Sequence, residues 1–342
     1  MTAVTVARPS VLTPPTNAII RLADRGRLGL LHALGPIARV LVRSRELRVA
    51  ALGLSAVVFA LGLTLSAPLA LLALGPLLLG VPHLLADARY LVLRPGLHRR
   101  RVLLVPAAVL VLGLIAGLGV RAGLAAAILA ALLSAAPLPR RLLVASVPGV
   151  LLFFAAQSPF AADVVFFHAH NLVAIGVWLA WRRRSGAVHV LVLAAFVGAT
   201  LLLACAPLPV IAAAPHWTGL SFAALGETLS LSQSSSVSQR LVMFFAFSQS
   251  VHYAIWLRLI PDEDRTRHTP RTFAATVSAL QRDVGATALR GCVLVGIALV
   301  ALACFSISQA RDAYLGIAYA HGHLELLAAA FLASEGWRRS SA

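Results

Sequence analysis

The chain contains no lysine; all 29 of its basic residues are arginine. A retinal Schiff base needs a lysine amine, so a rhodopsin-type photoreceptor or pump is excluded on chemistry alone. Charged residues of either sign make up only 12% of the chain, and just 12 residues are acidic. The three cysteines, Cys205, Cys292 and Cys304, fall in apolar runs without metal-ligand spacing and read as small buried hydrophobes. The HxxxH and HxxHH clusters of membrane di-iron desaturases are absent. No cleavable signal peptide is expected, because the first long apolar run begins near Val49. Neither an internal repeat nor a second domain is visible.

What the sequence has in abundance is apolar length. Of 342 residues, 60% are hydrophobic, the mean hydropathy is +0.88, and long apolar runs recur from residue 49 to residue 336. That composition predicts an all-α polytopic transmembrane helix bundle rather than a soluble domain. The apolar runs and their breakers place ten spans, at 47–66, 68–90, 102–120, 122–137, 141–157, 160–181, 187–208, 240–260, 288–309 and 313–336. Eight spans, with one short pair folded as a re-entrant unit, is the rival count.

The net charge of +17 does not signal nucleic acid, because the arginines cluster in short segments between apolar runs. With a cytoplasmic N-terminus only Arg121, Arg240 and Arg311 fall outside, leaving 26 of 29 inside. This bias predicts that both termini are cytoplasmic and that the membrane is a bacterial inner membrane. Residues 1–46 read as a disordered start followed by an amphipathic interfacial helix over 17–42, and residues 47–337 as a single transmembrane domain. An external loop at 209–239, with a short interfacial helix, and a solvated, charged cytoplasmic loop at 261–287 complete the expected layout.

Six of the eleven histidines lie inside spans: His83, His168, His170, His252, His321 and His323. Polar groups at membrane depth are costly and functional by default. Imidazole is the commonest protein ligand for transition metals, so these six are the candidate metal ligands. Asp87 follows His83 by four residues and Glu325 follows His321 by four, so each pair shares a helical face. These two carboxylates are the candidate catalytic groups, as metal ligands or as partners that orient an imidazole through its second nitrogen. Asn171 and Gln249 stand three residues from His168 and His252, a spacing that suits hydrogen bonds around a cofactor, and Tyr253 follows His252. The members of each doublet are two residues apart, roughly 200° around a helix, so one of each pair is expected to face the site. The sequence leaves open which one.

Gly80-Val81-Pro82-His83-Leu84-Leu85-Ala86-Asp87 resembles the G-x-P-H-G-x-x-D stretch of the Brp/Blh family of membrane β-carotene dioxygenases, with Leu84 in place of the second glycine. Phe247-Ser248-Gln249-Ser250-Val251-His252-Tyr253 is similar to that family's late histidine helix. The last histidine helix is matched only by the presence of His321 and His323. The resemblance implies a non-haem iron held by histidines, dioxygen as co-substrate, and cleavage of a lipid-soluble polyene drawn from the lipid bilayer. Haem b, another transition metal, and a proton- or metal-coupled transporter are the alternatives. Oligomeric state is left open.

Overall fold

A computed structural model describes residues 14–181, 184–206, 216–232 and 234–336. All regular structure among them is helical. The chain opens with α1 (Pro14–Ala33) and α2 (Gly35–Arg43), followed by α3 (Arg45–Ser66) and α4 (Pro68–Asp87). α4 runs on into a π-helical segment, Ala88–Leu93. Two 3-10 turns lead to α5 (Leu104–Ile115), then α6 (Val120–Leu132), α7 (Leu138–Gln157), α8 (Pro159–Ala180) and α9 (Val188–Cys205). α10 (Phe222–Leu229) precedes α11 (Ser235–Ala254), which also continues as a π-helical segment, Ile255–Leu259. The chain closes with α12 (Ile260–Glu263), α13 (Phe273–Val284), α14 (Ala286–Ala303) and α15 (Ile307–Glu335).

Each of the ten expected spans corresponds to a helix. Among the described residues, seven are long and apolar enough to cross a membrane: α3, α4 with its π extension, α7, α8, α9, α14 and α15. The apolar helices of the α5 and α6 region are shorter, and α11 carries too many serines, glutamines and other polar residues to stand with the seven. Yet α11 is central, with Val242, Met243, Ala246 and Phe247 almost wholly buried against the surrounding helices. Its polar residues Ser248 and His252 are buried among other helices, which is why composition alone misjudges it. Half of the α15 span is buried, against 6% for α14, so α15 lies at the centre of the bundle and α14 at its edge.

The arginine-rich segments meet at one end, and there one expectation needs correcting. Residues 261–287 are not an open loop: they hold α12 and α13, and although most of the segment is exposed or half-buried, Asp262 and Glu263 are buried at 8% and 0% exposure. Arg48 on α3 donates to both oxygens of Asp262, at 2.8 and 3.1 Å. Arg89 and Arg94 pair with Asp283 and Asp264. Glu263 accepts from the backbone amides of Arg184 (2.7 Å) and Ser185 (3.1 Å) and from the Ser185 hydroxyl, and His189 Nε2 lies 3.0 Å away. Burial pushes the Glu263 carboxyl up, but the nearby His189 imidazole and the donors from Ser185 and the two amides outweigh it and bring it down to about 2. Charged residues can be buried here because each finds its counter-charge or donor on a neighbouring segment. The alternation of signs in the sequence does not reveal that.

The amphipathic start is two helices, α1 and α2, with α1 docked on α13 through Asp24, which accepts from the Phe273 and Ala274 amides. Within the expected outer loop, α10 is the short helix and α11 begins at Ser235; residues 207–215 and Gln233 lie outside the described residues, as do 1–13 and 337 onward.

Candidate metal centre

Four helices bring four imidazoles together: His83 from α4, His170 from α8, His252 from α11 and His321 from α15. Their ring centroids form a closed square, His83–His252–His170–His321, with sides of 4.8, 4.7, 4.7 and 4.9 Å. Glu325, one helical turn beyond His321, closes one side, with Oε2 2.9 Å from His170 Nδ1. One ligand atom each from His170, His252, His321 and Glu325 all lie within 4.8 Å of one another. His83 joins through Nε2, which is 2.9 Å from His252 Nε2.

Hydrogen bonding decides what this square offers. The Nδ1–H of His83 points at the Gly80 carbonyl (3.3 Å), and that of His321 at the Ala318 carbonyl. Each carbonyl fixes a tautomer and leaves the Nε2 lone pair facing inward. His321 Nε2, His252 Nδ1, His170 Nδ1 and both Glu325 oxygens are buried with no hydrogen-bond partner; the His170–Glu325 approach lacks the angle of one. A single shared proton satisfies the His83–His252 pair. No such proton satisfies the rest, and a buried carboxylate without a donor is expensive. A cation bound among these atoms removes the deficit. The donors fit one: two nitrogens bound at about 2.0–2.1 Å to one ion at right angles are about 2.9 Å apart. The cluster can hold a metal ion.

No family model, curated protein or solved structure matches the chain. The site therefore rests on its own geometry.

That geometry settles the doublets in favour of His170 and His321. His168 turns away, its Nε2 2.8 Å from the Leu229 carbonyl and its ring stacked on Phe244. His323 stacks on Phe166 at 4.5 Å, beside Tyr319, outside the square. Of the carboxylates, Glu325 is in the cluster. Asp87 lies close enough to interact with it electrostatically and is itself buried, with Oδ1 unpartnered. Asn171 is buried on α8, with Nδ2 3.4 Å from Ser248 Oγ on α11. Gln249 is half-buried and forms no hydrogen bond with the cluster among the described residues. Tyr253 packs its ring 4.8 Å from that of His83.

Three contributors are not among the candidate site residues, although Gly80 opens the first motif. Tyr314 on α15 hydrogen-bonds Tyr253 and brings its hydroxyl to 3.5 Å from His83 Nδ1. Gly80 gives it room, since a Cβ there would sit 2.3 Å from the Tyr314 ring. Gly322 does the same for His170, whose Nδ1 would lie 2.9 Å from an added Cβ. Glycines one turn before His83 and between His321 and His323 were the available signals.

Proposed function

We propose that the chain is an integral-membrane oxygenase in which His83, His170, His252 and His321, with Glu325, hold a non-haem iron that acts with dioxygen on a lipid-soluble, carotenoid-like substrate. The observation that carries this reading is the square of four imidazoles in which His170 Nδ1 and His321 Nε2 are unpartnered beside an unpaired buried carboxylate, while His83 and His252 face each other through Nε2. It is supported by the position of the two resembling motifs, whose histidines, His83 and His252, stand 2.9 Å apart. With α5, α6 and α11 counted beside the seven longer apolar helices, the bundle has ten spans and both ends on the arginine-rich side, the arrangement of a bacterial inner-membrane protein.

The chain's own residues have definite parts in this scheme. The Gly80 and Ala318 carbonyls accept from Nδ1 of His83 and His321 and so aim their Nε2 lone pairs at the site. Glu325 supplies negative charge where a cation binds, and Asp87 adds to the field from one turn away. Tyr253 and Tyr314 wall the site beside His83, and the surrounding apolar side chains exclude water. A bound iron supplies the capacity to bind and activate dioxygen.

Haem b is disfavoured because, with any two opposing rings taken as axial ligands, the other two have centroids under 5 Å from both and crowd the plane that a macrocycle needs. Metal analysis of protein extracted in mild detergent is the test. Iron near one equivalent, without a Soret band, is expected. A Soret band instead supports the electron carrier, and absence of iron, copper and zinc ends the metal reading.

A further inference from the structure

A second site lies far from the histidines, where α1 meets α2. Gly35, at φ 54°, turns the chain there. The resulting elbow encloses an open groove with Leu31, Ala38 and Val42 on its apolar side, Arg39 and Arg43 as its cationic lining, and His32 beside them. α2 ends one residue before the membrane-crossing helix α3, so the groove sits where the chain enters the membrane.

Arg39 and Arg43 stand four residues apart on one face of α2 and are both accessible from the groove. Neither has an acidic partner among the described residues. Like charges at this spacing destabilise a helix unless an anion lies between them. Leu34, Ile37 and Val40 extend apolar surface on the same helices, at 39, 62 and 49% exposure. The elbow is also held in place. Arg48 donates to the Leu41 and Val42 carbonyls at 2.7 and 3.2 Å while gripping Asp262, and Asp24 ties α1 to α13.

We propose that this elbow binds the phosphate headgroup of an anionic phospholipid, with the phosphodiester between Arg39 and Arg43 and the acyl chains along the apolar side chains. A diffuse basic surface attracts any anionic membrane. A fixed groove with both cationic and apolar walls selects one amphiphile. The proposal stands apart from the metal centre.

The test uses the full chain in mild detergent, equilibrated with mixed phosphatidylcholine and phosphatidylglycerol, and counts the phospholipid retained after washing. Phosphatidylglycerol is expected to be enriched in the wild type. Arg39→Gln with Arg43→Gln lowers that enrichment on the order of tenfold, the scale of two basic residues lost from an anionic surface. Arg39→Lys with Arg43→Lys keeps most of it. Arg99→Gln with Arg101→Gln removes equal charge elsewhere on the arginine-rich end and leaves enrichment unchanged; circular dichroism confirms that every variant is folded. No enrichment in the wild type, or equal loss in both glutamine variants, overturns the proposal. So does displacement of the lipid by inorganic phosphate at equal concentration, which would make the groove a simple anion site.

Discussion

The molecule contains two buried glutamate–histidine pairs, and they are opposites. At the arginine-rich end Glu263, fully buried, approaches His189 at 3.0 Å and is surrounded by donors from Arg184 and Ser185. In the bundle centre Glu325, equally buried, approaches His170 at 2.9 Å and has no hydrogen bond at all. Residue types, burial and separation are alike, and only the remaining neighbours differ. In both pairs the imidazole nitrogen facing the acid makes no hydrogen bond, but Glu263 is satisfied by the Arg184 and Ser185 donors, whereas Glu325 is satisfied only when something positive is added. A buried acid beside a histidine therefore identifies nothing until every lone pair around it has been traced.

The sharpest way to break this comparison is to remove a histidine from the square. His321→Ala should lower metal affinity by more than about a hundredfold, beyond the range for partners that merely orient a ligand, with melting of the metal-free protein little changed. Retained metal would show that His321 is no ligand. Next in size, Arg48→Ala strands Asp262 and should cost about 3–5 kcal/mol of stability, read as a lowered melting midpoint at undiminished metal content. Equal loss of metal would mean that the two regions are one unit.

The pairs should also respond oppositely to neutralisation in metal-free protein. Glu263 is held at about 2 against an ordinary value of 4.5. A depressed carboxyl stabilises the fold above its unfolded value, and that contribution is lost as pH falls from about 4.5 to about 2. Its size is on the order of 3 kcal/mol. Glu263→Gln should remove that acid-sensitive stability at neutral pH, whereas Glu325→Gln should cost nothing or stabilise. Melting curves across this pH range decide, and similar losses in both variants would erase the distinction. The smallest effect belongs to His168→Ala, which gives up one hydrogen bond to Leu229, about 1 kcal/mol, and leaves metal content unchanged.

Much of the architecture could be read from apolar run length, because a helix in lipid must satisfy its backbone internally and so follows the run closely. His83 and His252 were equally readable, since each is a lone histidine on its helix. The doublets were not. Spacing says that His168 and His170 face apart, but which of them meets α15 depends on the close approach permitted by Gly322, a contact between distant segments. Glu263 was misread for a similar reason: its donors come from residues 184–189, nearly eighty positions away. Tyr314 lay on a histidine helix but carried no motif, and only the gap left by Gly80 shows why it matters.

Two π-helical segments, Ala88–Leu93 and Ile255–Leu259, extend the helices of His83 and His252. A π turn behaves as a one-residue insertion, and each extra residue rotates the remainder of the helix by about 100°. Upstream of the insertion, α4 and α11 are phased toward the imidazoles. Downstream, Arg94 and Asp262 are phased toward their ion pairs. The two faces can thus drift in sequence independently, because the extra residue acts as a clutch between them. Deleting one residue from either π segment would re-engage it, forcing the helix to aim only one of its two ends correctly.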